Sequence, residues 1–172
     1  MTEKETIELE TAKEFLKLYN SQQGTSYEII KHGDAPDFHC QDQDGINLYL
    51  ETTLTEDQAG DIPALLGRSE AKSPQALKQH LDAVKRGEAS IFDSVSCLQG
   101  NVSQMAQTRI QPKLAKDYGS DVALVVRDVS PLGWSWETVL GELASSLDLE
   151  NNPFDKGIWI ISTASRKIYR VV

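Results

Sequence analysis

The sequence predicts an α/β domain in which helices flank a mixed β-sheet. Three observations carry this expectation. Residues 6–19 place Ala12, Phe15, Leu16 and Tyr19 at helical spacing. Residues 27–54 hold three short segments rich in β-formers, separated by turn residues. Residues 122–129 and 157–162 are nearly continuous apolar runs, the pattern of strands buried on both faces. A chain of 172 residues suits one domain spanning 1–172, long enough to bury its own core.

The first helix starts at Thr6 as its cap and stops in 20–24, where Gly24 interrupts the pattern. Strands are expected over 27–31, 37–41 and 46–54. The second opens just after Pro36, which fixes its own φ and pushes the preceding residue away from helix. Between the last two lies Asp42-Gln43-Asp44-Gly45, in which Asp-Gly supplies the positive φ of a tight hairpin. The segment at about 55–100 reads as a helical insert. Within it, residues 73–86 form a helix with Ser73 as cap and Pro74 at its first position. Lys72, Lys78, Lys85 and Arg86 give that helix a cationic flank. Residues 102–118 read as helix, with Pro112 marking a kink or a new start. A strand at 122–129, a helix at 136–147 capped by Ser135, and strands at 157–162 and 167–172 complete the order. That order is one helix, three strands, a helix, a strand, a helix and two strands.

Composition narrows the function. Lys and Arg number 17 against 26 Asp and Glu, a formal charge of −9, which argues against a nonspecific polyanion binder. It leaves open a site that meets phosphate through a metal ion. Cys40 and Cys97 are too few for a disulfide framework and lack metal-ligand spacing. His32, His39 and His80 form no paired ligand motif, and no P-loop, Gly-x-Ser-x-Gly or Gly-x-Gly-x-x-Gly pattern occurs. No apolar run reaches the length of a membrane span and the first residues are unlike a signal peptide, so a cytoplasmic setting without membrane contact is expected. Trp134 and Trp136 offer stacking surfaces for bases but suit packing at a helix start better.

Two acids stand out. Asp37 opens one expected strand and Glu51 lies near the end of the next, so the hairpin between them brings both carboxylates to one end of the sheet. Alternation puts Asn47, Tyr49, Glu51 and Thr53 on one face and Ile46, Leu48, Leu50 and Thr52 on the other. A carboxylate facing a core needs a counterion, and a hard cation such as Mg²⁺ answers that need with oxygen ligands and retained waters. The plain alternative is an α/β protein in which both acids only satisfy local hydrogen bonds.

Gly33-Asp34-Ala35-Pro36-Asp37-Phe38, then Asp44-Gly45, then Leu50-Glu51-Thr52-Thr53, resembles the PD-(D/E)xK, or restriction-endonuclease-like, nuclease superfamily. The likeness spans about residues 6–129 and is loose over 55–100. It implies an αβββαβ core, to which this chain adds a C-terminal helix and two strands. It also implies hydrolysis of phosphodiester bonds in DNA, with Mg²⁺ or Mn²⁺ as cofactor. The implied metal ligands are Asp37, Glu51, the backbone carbonyl of Thr52, and Glu8 from the first helix, with Glu10 second. The superfamily's lysine position, two residues after the second acid, holds Thr53. Some members recruit a lysine from the following helix. Lys113, in Ile110-Gln111-Pro112-Lys113-Leu114, is the candidate for that role, with Lys116 second. The implied partner is nucleic acid, and a homodimer suits an acidic protein that cuts both strands of a duplex. The missing lysine and the charge of −9 support the alternative of a catalytically inactive relative serving as a binding or assembly module.

Overall fold

A computed structural model describes residues 2–55, 85–87, 91–128 and 135–172; the side chains of 91–101 are left aside. Among these residues the order is α1 (Glu3–Gln23), β1 (Glu28–His32), β2 (Phe38–Gln41), β3 (Asn47–Leu54), α2 (Ile91–Leu114), β4 (Val122–Asp128), α3 (Trp136–Ser146), β5 (Ile158–Ser162) and β6 (Lys167–Arg170). The six strands form one mixed sheet in sequence order. β1, β2 and β3 pair antiparallel, β3, β4 and β5 pair parallel, and β6 returns antiparallel to β5.

Helices cover both faces. The α1 residues Ala12, Phe15 and Leu16 pack on Phe38, Cys40, Leu48, Leu50, Val125 and Ile161. On the opposite face, Ala106 and Ile110 of α2 and Val139 and Leu143 of α3 cover Val122, Leu124, Val126, Ile158 and Ile160. Strand alternation sorts β4 and β5 side chains between these two clusters, which is why both strands are apolar at nearly every position. Tyr49 belongs with the α2 and α3 cluster while Leu48 and Leu50 face α1, as alternation along β3 requires. Trp136 is buried and stacks on Tyr169 with ring centroids 5.0 Å apart, a packing role; Trp134 lies outside the described residues. No helix among the described residues is long and apolar enough to cross a membrane.

Several boundaries differ from expectation. The cap of α1 is Thr2, not Thr6: Thr2 and Glu5 exchange a capping box, and Gly24 at φ +68° closes the other end. Thr6 instead sits inside the first turn and donates its hydroxyl to the Thr2 carbonyl at 3.0 Å. The acids Glu3 and Glu5 extend the helix upstream by complementing its positive end. The expected helical insert at about 55–100 lies largely outside the described residues; the helix expected at 102–118 begins earlier, at Ile91, and runs without a break to Leu114. Pro112 lies inside α2, two residues from its end, and starts no new helix; it leaves the Thr108 carbonyl without its helical N–H donor. The helix expected at 73–86 falls almost wholly outside the described residues, as do Lys72 and Lys78.

The turn after β2 is closed by Asp42. Its Oδ1 accepts the Asp44 N–H at 3.0 Å and the Ile46 N–H at 2.8 Å, while Gly45 takes φ +81°. That closure sets the register of β2 on β3: Phe38 opposite Leu50, His39 opposite Tyr49, Cys40 opposite Leu48 and Gln41 opposite Asn47.

Candidate functional site

One further step along this register brings Asp37 opposite Glu51. Asp37 itself lies in the bend just before β2, so what places it beside Glu51 is the cleft that both acids line. Asp37 is half-buried at the entrance to β2, after a turn in which Gly33 N–H donates to the Asp37 carbonyl at 2.7 Å. Glu51 is only 5% exposed.

Both acids line a cleft of about 630 Å³ between the N-terminal part of α1, the ends of β2 and β3, and the C-terminal part of α2. Lys4, Arg109, Lys113 and Lys116 line it together with Glu8 and Asp34. Four cations and four acids line the cleft, so its formal charge is balanced in a chain whose net charge is −9.

The hydrogen bonds at the two carboxylates are lopsided. Glu51 Oε1 accepts from Lys113 Nζ at 2.6 Å and from the Tyr118 hydroxyl at 3.3 Å. Glu51 Oε2 is buried and finds no hydrogen-bond partner among the described residues. Asp37 Oδ2 accepts from both the Thr52 N–H and the Thr52 hydroxyl, each at 2.7 Å. Each acid thus has one oxygen held by two donors and a second oxygen held by none of them.

Burial raises the Glu51 carboxyl above its ordinary range, and the nearby Asp37 charge adds to the rise; the Lys113 hydrogen bond opposes both. Burial and then the Glu51 charge push the Tyr118 hydroxyl upward, which keeps it a donor. A buried carboxylate with one bare oxygen has a strong unmet demand for positive charge.

Of the residues singled out from sequence, Asp37, Glu51 and Lys113 are brought to one cleft, with Lys113 reaching Glu51 from α2. Lys116 lines the same cleft from an exposed position. Glu8 lines it too, but pairs with Lys4 at 3.4 Å. Glu10 is exposed and pairs with Lys13. No group of three or more His, Cys, Asp or Glu side chains among the described residues is disposed to hold one ion. Thr53 lines the cleft where a lysine was sought, and Thr52 meets Asp37 through its N–H and hydroxyl. His39 and Cys40 point to opposite faces: His39 stacks on Tyr49 at 4.7 Å, and Cys40 is buried under α1 with its thiol pushed up to about 12 by burial.

Tyr118 went unnoticed in the sequence because it ends the α2 region without any motif around it. Its place five residues beyond Lys113, just past the helix end, is the signal that pointed to it. Arg109 and Lys4 likewise have no motif around them, and Asp34 lies inside the Gly33–Phe38 stretch without a role there. No family model, curated protein or solved structure matches the chain.

Proposed function

We propose that this chain is a divergent PD-(D/E)xK protein with a restriction-endonuclease-like core, acting as a metal-dependent nuclease that hydrolyses phosphodiester bonds in DNA. The observation that carries the proposal is the buried Oε2 of Glu51, without a hydrogen-bond partner among the described residues and beside Asp37 in a cleft that Lys4, Arg109, Lys113 and Lys116 also line. Two carboxylates with one available oxygen each suit Mg²⁺ or Mn²⁺, which takes one or two carboxylates and keeps several waters. Glu51 and Asp37 are the residues to hold such an ion; Glu8 lines the same cleft, paired with Lys4.

Bound there, the ion would lower the pKa of a water and neutralise charge developing on the phosphoryl oxygens. The chain's own groups do the rest. Lys113 opposes the rise that burial imposes on the Glu51 carboxyl and places a positive charge beside the reacting phosphate. Arg109 and Lys116 supply further charge along the wall of the cleft for the flanking phosphates. Thr52 holds Asp37 in one orientation through two short bonds, so that the nucleophile's binding site is set before substrate arrives.

A second reading, an inactive binding module, draws support from the Lys113–Glu51 ion pair, which already meets half of the demand for positive charge at Glu51. Thermal melting with added Mg²⁺ or Mn²⁺, run beside plasmid cleavage, separates the two. The nuclease reading expects a melting gain that grows with ion concentration, and cleavage, both abolished in Asp37→Ala and Glu51→Ala. An unchanged melting curve at millimolar ion leaves the inactive module.

A further inference from the structure

The lopsided bonding of the two acids has a consequence for which ion the cleft accepts. A carboxylate clasps Ca²⁺ readily through both oxygens, and Ca²⁺ takes 6–8 oxygen ligands in flexible geometry. Mg²⁺ demands an octahedron with bonds of about 2.0–2.1 Å and takes one oxygen from each carboxylate. At Glu51, Lys113 and Tyr118 both donate to Oε1, which occupies the two lone-pair directions of that atom. At Asp37, the Thr52 N–H and hydroxyl do the same to Oδ2.

We infer that Tyr118 and Thr52 are positioning residues that restrict Glu51 and Asp37 to one metal bond each, so that the cleft selects Mg²⁺ or Mn²⁺ over Ca²⁺. This rests on the metal-binding reading above. Neither side chain touches the ion; each acts by saturating the oxygen that a larger ion needs for a two-point grip. The placement of Tyr118 favours this role over plain packing. Its ring contacts Phe154 at a centroid distance of 5.1 Å, yet its hydroxyl turns to Glu51 and lines the cleft. Phenylalanine at 118 keeps the ring contact and removes only the donor, so the fold tolerates the change.

The test is ion binding by calorimetry, without substrate, on the full chain and on Tyr118→Phe and Thr52→Val. Mg²⁺, Mn²⁺ and Ca²⁺ are titrated singly, and folding is checked by melting in EDTA. The wild type should bind Mg²⁺ and Mn²⁺ more tightly than Ca²⁺. Each substitution should shift the Mg²⁺-to-Ca²⁺ affinity ratio toward Ca²⁺ by about tenfold, the scale on which partners of metal ligands act. Ratios unchanged in both variants, or a wild type that prefers Ca²⁺, overturn the inference and leave metal binding intact. A wild type that binds none of the three ions overturns the metal reading itself.

Discussion

The two halves of the sheet are built on different terms. All five residues of β5 are buried, and only Arg127 of β4 is not. In β1 four of five residues are exposed, with a register irregularity between Ile29 and Lys31. β3 is the seam, antiparallel to β2 on one side and parallel to β4 on the other. The cleft opens at that seam. A fully buried strand cannot hold an ionised carboxylate without great cost, and an exposed one leaves it fully hydrated. Glu51 is itself buried, yet it lines the cleft, and its Oε2 has no hydrogen-bond partner among the described residues.

That contrast can be broken most directly by truncation. Ile160→Ala on the buried half should cost about 2–5 kcal/mol in urea unfolding. Ile30→Ala, 58% exposed on β1, should stay within about 0.5 kcal/mol. Similar costs at both places would dissolve the distinction between the halves.

The seam is the next place to press. Lys113→Met removes the charged partner of buried Glu51 and should cost on the order of 3 kcal/mol at pH 8, by the same unfolding measurement. The cost should shrink at pH 5, where Glu51 can take up a proton instead.

Titration sharpens the comparison further. The folded state holds the Glu51 carboxyl above its ordinary range, so it binds that proton more tightly than the unfolded chain does. Glu51 therefore favours the folded state at low pH, and that contribution is lost as pH rises through the raised value. Without divalent ions, the pH dependence of stability should flatten over this window in Glu51→Gln. An identical slope in the two proteins would mean that Glu51 titrates normally.

The smallest effect expected is at the hairpin tip. Asp42→Ala removes two hydrogen bonds in an exposed turn and should cost about 1 kcal/mol. A larger loss, accompanied by weaker ion binding, would show that the turn sets the spacing of Asp37 and Glu51.

What the sequence determined alone is what repeats over a few residues. The apolar runs of β4 and β5, the helical spacing of Ala12, Phe15 and Leu16, and the Asp42–Gly45 turn are local patterns, and the elements they predict are present. The opposition of Asp37 and Glu51 follows from the same kind of count, since a hairpin with a known turn has one register. Tertiary structure decided the rest. It chose Lys113 over Lys116 for Glu51, across 62 residues of chain, and brought Tyr118 to the same oxygen across 67. It turned Thr52 onto Asp37 and left Oε2 without a partner among the described residues. No periodicity encodes such contacts, because they arise only when a helix end and a strand end, each shaped by its own neighbours, meet across the core.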